Sequence, residues 1–377
     1  MSGRLLNVMY SAGADFVSIH KVHGRIAKVL QEDFPEVSHW FLQGDDRDLL
    51  GHSLDSPVFL QLSVRQIKGS GLALLFRYAV RQRVRKMLDD LQPDAILIDG
   101  LRAARLILPL IRERLGSSTR IAVVLHSLVR ITKSDVDLLR SVPPDRLQVV
   151  AVSPDAARQM LQKHPLLQGW LVGIASANDP VERCLDLSNR QAKRAGLGVG
   201  EGDLVLGAVG RLNKVKNFQF LVRCFAAVGR DNPCAHLVIL GEGEQRAELE
   251  QCIRELGVER QVHLVGFRED AMSLYGAFDW LVCPSLYEGF GLVIGESLMA
   301  GVPVIVSDLG VFREQLGDAG RYAQVNDAQA WQRELAGALE LDAGQREQIY
   351  AAQVQAFDFD GRWKAFAEAY RLCMGAR

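Results

Sequence analysis

Two acids, two cations and a cluster of glycines carry the chemistry most legible in this chain. The acids bracket the run Glu288-Gly289-Phe290-Gly291-Leu292-Val293-Ile294-Gly295-Glu296. It follows the apolar Trp280-Leu281-Val282-Cys283 and precedes Ser297-Leu298-Met299-Ala300, which reads as a strand, a loop and a helix. Gly289 and Gly291 let the backbone come close to a ligand. The amides of Gly291, Leu292 and Val293 should then lie unpaired at a helix start, beside the positive end of its dipole. That is an anion site suited to a diphosphate. Glu288 falls in the loop and Glu296 inside the helix, so the two would serve different parts of one ligand. Carboxylates accept hydrogen bonds well from sugar hydroxyls. A solvated loop with two surface acids is the bland alternative, and the coincidence of glycines, acids and a helix start weighs against it.

The cations are Arg211 and Lys216, in Gly210-Arg211-Leu212-Asn213-Lys214-Val215-Lys216-Asn217, directly after the apolar run 203–209. Two cations flanking a loop at the end of a parallel strand suit a diphosphate clamp that stabilises charge as it departs. Alone the motif is weak, since exposed basic residues after a strand are common. Three other motifs read as structure. Gly241-Glu242-Gly243-Glu244-Gln245-Arg246 has the outline of a dinucleotide fingerprint but lacks the third glycine, and its acids would repel a pyrophosphate. It is read as a tight turn. Asp135-Val136-Asp137 and Asp358-Phe359-Asp360 have the Asp-x-Asp form of metal-dependent transferases, but each sits where an aspartate can cap a helix. No metal site is assigned.

The elements that position these residues follow from the apolar pattern. Strands are expected at 5–10, 95–99, 121–125 and 147–152, then at 203–209, 235–240, 262–265, 279–283 and 302–306. Helical stretches lie between them at 102–114, 155–163, 218–228, 244–256 and 328–339. This alternation predicts an α/β chain of parallel sheets covered by helices on both faces. It lapses over about 173–202, a polar stretch read as the interdomain connection and the start of a second doubly wound domain. A chain of 377 residues exceeds what one core usually supports. The expected division is 1–175 and 176–357, with a final helix 358–377 packing back on the first domain. Two facing doubly wound domains would bring the carboxyl ends of both sheets to one cleft.

Composition narrows the classes. A net charge of −1 gives no global field toward nucleic acid. The six cysteines are scattered without a Cys-x-x-Cys pair, as expected of reduced core thiols in a cytoplasmic protein. The N-terminal apolar run is short and broken by Asn7, which suits a buried strand better than a signal peptide. No run reaches the roughly 18 apolar residues of a membrane span.

The two chemical motifs, in this order, resemble those of the family 4 retaining glycosyltransferases, which have the GT-B architecture of two facing Rossmann-like domains. Glu288 to Glu296 matches the family's Glu-x7-Glu motif, and Gly210 to Asn217 its Gly-Arg-Leu…Lys-Asn loop. The likeness covers about 200–320, including Leu240-Gly241-Glu242-Gly243 and Gly266-Phe267-Arg268, and is faint in the first half. It implies that Arg211 and Lys216 hold a donor diphosphate, and that Glu296 binds the ribose. It also puts Glu288 near the reacting carbon and the backbone of Phe267 and Arg268 at the nucleobase edge. His126, in Leu125-His126-Ser127, matches a histidine that the family often has near the donor sugar; the bland reading is a satisfied structural histidine. Ser11-Ala12-Gly13-Ala14-Asp15 replaces the family's Gly-Gly loop, leaving Gly13 as the point of close approach for acceptor or phosphate. Ala177-Asn178-Asp179-Pro180 is a reduced form of the segment before the second domain.

The implied activity is metal-free transfer of a sugar, with retention, from a nucleotide-sugar to a glycan or glycolipid. Lipopolysaccharide core or other surface-glycan synthesis is the expected setting. A nucleotide-sugar epimerase, a phosphorylase and a non-catalytic sugar-binding protein are the rival readings. From Val64 to Leu88 there are seven basic residues and no acidic one. Arg77, Arg81 and Arg85 form a stripe at helical spacing beside Phe76, Val80, Val84 and Leu88. The stripe is either a solvated helix face or a contact to anionic lipid or a phosphorylated acceptor at the inner face of the cytoplasmic membrane.

Overall fold

The computed structural model describes residues 3–13, 17–45, 57–68, 73–114, 118–183 and 189–375. The chain divides into two compact units, Met1–Ser176 with Trp363–Arg377, and Ala177–Arg362.

The first unit is a seven-stranded parallel sheet. Its strands are β1 (Arg4–Ser11), β2 (Glu36–Gln43), β3 (Val58–Phe59), β4 (Ala95–Asp99), β5 (Arg120–Leu125), β6 (Leu147–Ala151) and β7 (Leu171–Gly173). They lie in the order β3-β2-β1-β4-β5-β6-β7. The second unit is a six-stranded parallel sheet of β8 (Leu204–Val209), β9 (Ala235–Leu240), β10 (Val262–Gly266), β11 (Trp280–Cys283), β12 (Val304–Ser307) and β13 (Arg321–Ala323). Its order is β10-β9-β8-β11-β12-β13. Each sheet therefore winds outward from its first strand and then restarts on the other side of it. The crevice at that reversal, outside the carboxyl ends of the strands, is where doubly wound sheets place ligands. It falls between β1 and β4 in one unit and between β8 and β11 in the other.

The central strands are continuous apolar runs because helices cover both faces. Ile121–Leu125 and Leu237–Ile239 are wholly buried. Four strands escape the apolar pattern. β3, β7 and β13 are two or three residues long, and β2 carries Ser38 and His39 in its middle. The polar lapse is partly ordered structure: the helix Arg190–Gly196 lies inside it. Its Arg194 is buried, donating to the carbonyls of Ala277, Glu201 and Asp203 and to Asp279 Oδ2 at 2.7 Å. A buried guanidinium with every partner supplied is invisible to a hydropathy pattern.

The last helix, Phe359–Met374, belongs to both units. At its start Arg362 donates to the carbonyls of Glu314 and Gln315. Further along, Arg371 donates to Val29 O in the helix Val17–Leu30 of the first unit and to Glu32 in the turn that follows it. Among the described residues no helix is long and apolar enough to cross a membrane.

Candidate active site

Because β9, β8 and β11 are neighbours, the loops leaving their carboxyl ends are neighbours too. They are bonded into one surface. Leu212 N donates to Glu242 O at 2.8 Å, and Gln245 N to Leu212 O at 3.0 Å. Leu286 N donates to Val215 O at 2.8 Å, and Asn217 Nδ2 to Pro284 O at 3.3 Å. The glycines of the false fingerprint explain themselves here. A Cβ on Gly241 would stand 1.8 Å from Gly210 O, and one on Gly243 would stand 2.4 Å from Leu212 O. Gly241 and Gly243 are spacers that let the cation loop sit down.

Within that loop the Asn213 side chain accepts from Lys216 N at 3.1 Å, closing a tight turn over Lys214–Lys216. Asn217 then takes the left-handed conformation, φ 59°. The turn aims Lys216 at the acid loop, where its Nζ lies 2.5 Å from Glu288 Oε1. Ser285 donates to the same oxygen at 2.8 Å. Burial works against the Lys216 charge, but the Glu288 carboxylate beside it, with Glu296 further off, raises its pKa above the usual lysine value. Lys216 is thus a fixed, permanent cation.

Gly291 precedes the helix Leu292–Met299 at φ 81°, with no side chain capping the helix. The early amides at Leu292 and Val293 therefore lack the intrahelical acceptors that later turns have. One turn on, Glu296 is buried and accepts from Tyr275 Oη at 2.9 Å. Burial, then the Glu296 charge, push the Tyr275 phenol well above its ordinary value, so it stays a donor.

The sequence-predicted residues thus separate into groups. Lys216, Glu288 and the helix start at Gly291, Leu292 and Val293 come together, with Glu296 on the same helix. Arg211 is half exposed and meets Glu244 at 3.4 Å. Phe267 is exposed at the end of β10, and the guanidinium of Arg268 is engaged with Asp270 at 2.8 Å. Ser285, Tyr275 and Asn213 were not read from the sequence. Ser285 and Tyr275 sit in runs that look apolar, and Asn213 looks like an ordinary loop residue.

His126 and Gly13 belong to the first unit. Gly13 is not sterically required, since a Cβ there would meet only Ser11 Oγ at 3.5 Å. His126 sits beyond β5 in a buried cluster that the sequence did not announce. Its Nε2 lies 3.2 Å from His23 Nε2 and 3.7 Å from Asp99 Oδ1. His23 Nδ1 lies 2.7 Å from Asn7 Oδ1, and Asn7 Nδ2 lies 3.1 Å from His39 Nδ1. Tyr10 N donates to Asp99 Oδ2 at 3.1 Å. Burial drives the His126 pKa down to about 3, helped by His20, and drives Asp99 up to about 6. The ligand atoms of His23, Asp99 and His126 lie within 4.8 Å of one another, close enough to share a metal ion. Neither Asp-x-Asp motif forms such a group among the described residues. Asp135 closes a capping box with Thr132 and pairs with Arg105, while Asp358 accepts from Gly361 N.

Residues 189–355 match the model of the glycosyl transferases group 1 family. This stretch is a glycosyl transferases group 1 domain. A glycosyltransferase of Methanocaldococcus jannaschii is 34% identical over 193 residues, 49% of each chain. The O-antigen chain mannosyltransferase B of Escherichia coli is 30% identical over 171 residues, 44% of this chain and 45% of that one. The chain spans about half the length of these curated relatives. The crystal structure of Anabaena Alr3699/HepE in complex with UDP and glucose superposes with a TM-score of 0.73, at 19% identity, over 97% of this chain and 99% of that one. That likeness shows the fold: two Rossmann-like parallel-sheet units of GT-B type. The group 1 domain holds the Lys216–Glu288 pair, the helix start at Gly291 and the buried Glu296.

Proposed function

We propose that this chain is a retaining glycosyltransferase of the family 4 kind, which moves a sugar from a nucleotide-sugar donor to a glycan or glycolipid acceptor. The observation that carries the reading is the Lys216–Glu288 pair set beside the uncapped helix start. A preorganised cation and helix amides stabilise charge that gathers on a leaving diphosphate. This is work that a metal ion performs in other transferases, so the chemical step here is taken as metal-free. Arg211 adds a second, more exposed charge from the loop's rim. Glu296 receives the ribose hydroxyls, Glu288 faces the reacting carbon, and the backbone at Phe267 and Arg268 meets the base. Glu288 is engaged by Lys216 and Ser285, so it is taken as an electrostatic partner and not as a covalent nucleophile. Front-face attack, with the departing phosphate taking the acceptor's proton, is the mechanism adopted.

The E. coli relative, an O-antigen chain mannosyltransferase, supports an acceptor among surface glycans such as lipopolysaccharide. The expected place is the cytoplasm, at the inner face of the membrane. There the basic face of the helix Ala73–Leu91 would meet anionic lipid or a phosphorylated acceptor. Val80, Val84 and Leu88 of that helix are buried, Arg81 and Arg85 are half buried, and Arg83 and Lys86 are exposed. The side chain of Arg77 lies outside the described residues.

The test is release of nucleoside diphosphate from a panel of nucleotide-sugars, with and without glycan acceptors, in excess chelator. Acceptor-stimulated release that survives chelation is expected. A requirement for Mg²⁺ or Mn²⁺ in the chemical step would overturn the metal-free mechanism, and phosphate-dependent turnover without an acceptor would replace transfer by phosphorolysis.

A further inference from the structure

The buried cluster at the reversal point of the first sheet is a single chain of hydrogen bonds, and a chain of this kind has a direction. Its members are His126, His23, Asn7 and His39, linked at 3.2, 2.7 and 3.1 Å. The imidazoles of His23 and His126 are neutral, since burial and the neighbouring histidines lower the pKa of both. A neutral imidazole has one donor nitrogen and one acceptor nitrogen. The Asn7 amide likewise offers one donor side and one acceptor side. Only two proton arrangements satisfy every link. In one, His126 Nε2–H donates to His23 Nε2, His23 Nδ1–H donates to Asn7 Oδ1, and Asn7 Nδ2–H donates to His39 Nδ1. In the other, the amide is turned over and every bond is reversed.

Asp99 decides between them. Its Oδ1 stands 3.7 Å from His126 Nε2, a charge contact rather than a hydrogen bond. The other carboxylate oxygen is fixed by Tyr10 N. A carboxylate beside Nε2 attracts a proton there and repels a lone pair. Arg102 is the cation that acts on Asp99, and His20 is the further group that acts on His126. With the proton on Nε2, the lone pair of His126 falls on Nδ1. The His126 side chain keeps 14% exposure, and Nδ1 has no hydrogen bond to a described residue.

We infer that His23, Asn7 and Asp99 are positioning residues that lock His126 in the Nε2-protonated form, so that its Nδ1 is a dedicated acceptor for a hydroxyl of the transferred sugar or of the acceptor glycan. The sugar part of this inference rests on the proposed glycosyl transfer; the proton arrangement does not. The same chain accounts for the metal-like grouping of His23, Asp99 and His126, because the two facing Nε2 atoms share a proton in place of an ion. A locked acceptor distinguishes an O–H ligand, which donates, from an oxyanion, which cannot.

The experiment is ¹⁵N NMR of the full chain with ¹⁵N-histidine, without nucleotide, at a pH near 7.5, the His126 signals being assigned by their loss in His126→Gln. His126 should show a protonated Nε2 and an unprotonated Nδ1. Asn7→Asp, which keeps an acceptor toward His23, should preserve that pattern. Asp99→Asn should mix or reverse it while leaving the circular dichroism spectrum unchanged. A protonated Nδ1 in the wild type, or an Asp99→Asn variant identical to it, would overturn the lock. So would stoichiometric binding of added Co²⁺ or Zn²⁺ that shifts both His23 and His126, since that would make the cluster a metal site. In a second arm, Asp99→Asn and His23→Phe should lower sugar transfer about tenfold while thermal stabilisation by UDP, ADP or GDP stays as in the wild type. Unchanged transfer would overturn the ligand role. A wild type that shows the predicted tautomer but transfers no sugar would instead refute the proposed function and leave the lock standing.

Discussion

At the scale of single residues, the site depends on charges held where they cannot relax. Lys216 is caught between Glu288 and the turn that Asn213 closes. Lys216→Ala should cost roughly 2–4 kcal/mol of transition-state stabilisation, as removal of other preorganised groups does. Near wild-type kcat/KM in that variant would remove the diphosphate clamp from the mechanism. Glu288→Ala should lower kcat more than it raises KM if the acid has the proposed place at the reacting carbon. Glu296→Ala should act the other way. In the proposed role it removes a charge-assisted bond to the donor worth about 1.5–3 kcal/mol, so KM for the nucleotide-sugar should rise with kcat little changed. Equal effects of the two substitutions on kcat and KM would show that the two acids do not divide the ligand between them.

At the scale of elements, one glycine determines whether the acid loop can enter its helix. Gly291 has φ 81°, and a Cβ there would stand 2.6 Å from Cε1 of the buried Phe312. Gly291→Ala meets both penalties. It should destabilise by about 1–3 kcal/mol and abolish thermal stabilisation by nucleotide-sugars, because the helix start moves. A variant with wild-type denaturant midpoint and donor binding would show that the loop tolerates another path. The helix Ala73–Leu91 makes a different kind of prediction. Val80, Val84 and Leu88 are committed to the core, while Arg83 and Lys86 are exposed. Anionic vesicles should sediment the chain at low salt and release it at high salt, and replacing Arg77, Arg81 and Arg85 by Gln should abolish the binding while donor binding persists. Equal sedimentation of the variant and the wild type would return those arginines to the role of a solvated face.

At the scale of the whole molecule, the buried cluster of the first unit should appear in the pH dependence of stability. The folded pKa of His126 is lowered from 6.5 to about 3. Its contribution is therefore complete above pH 6.5 and is lost as pH falls toward 3, because the unfolded chain takes up a proton that the folded chain refuses. Asp99 has the opposite sign. Its pKa is raised from 3.8 to about 6, so its contribution is complete below 3.8 and is lost as pH rises through 6. The two oppose each other across mildly acid pH. The comparison that isolates the histidine is wild type against His126→Gln. From pH 6.5 to 4 the wild type should lose stability faster than the variant, by up to roughly 1.4 kcal/mol per pH unit. Parallel curves from denaturant unfolding would mean that His126 is not buried as a neutral base.

The sequence by itself determined the fold class and the identity of the acid loop. Continuous apolar strands alternating with helices permit little besides two parallel sheets, and Glu288 through Glu296 is a local motif whose parts lie within one strand–loop–helix junction. The cation loop was legible in residue type but not in consequence. That Lys216 meets Glu288, 72 positions on, while Arg211 turns to Glu244 depends on contacts between loops distant in the chain. The role of Gly241 and Gly243 as spacers was hidden for the same reason, since it needs the backbone of Gly210 and Leu212 beside them. The His126 cluster shows the limit most clearly. Asn7, His23, Asp99 and His126 are separated by 16 to 103 positions in their contacts with one another. Local periodicity carries no information about such pairs. Only the tertiary fold, which sets β1 beside β4, β4 beside β5 and the helix Val17–Leu30 against them, brings them within hydrogen-bonding reach. Burial then converts four ordinary side chains into groups whose charge and proton positions are fixed by one another.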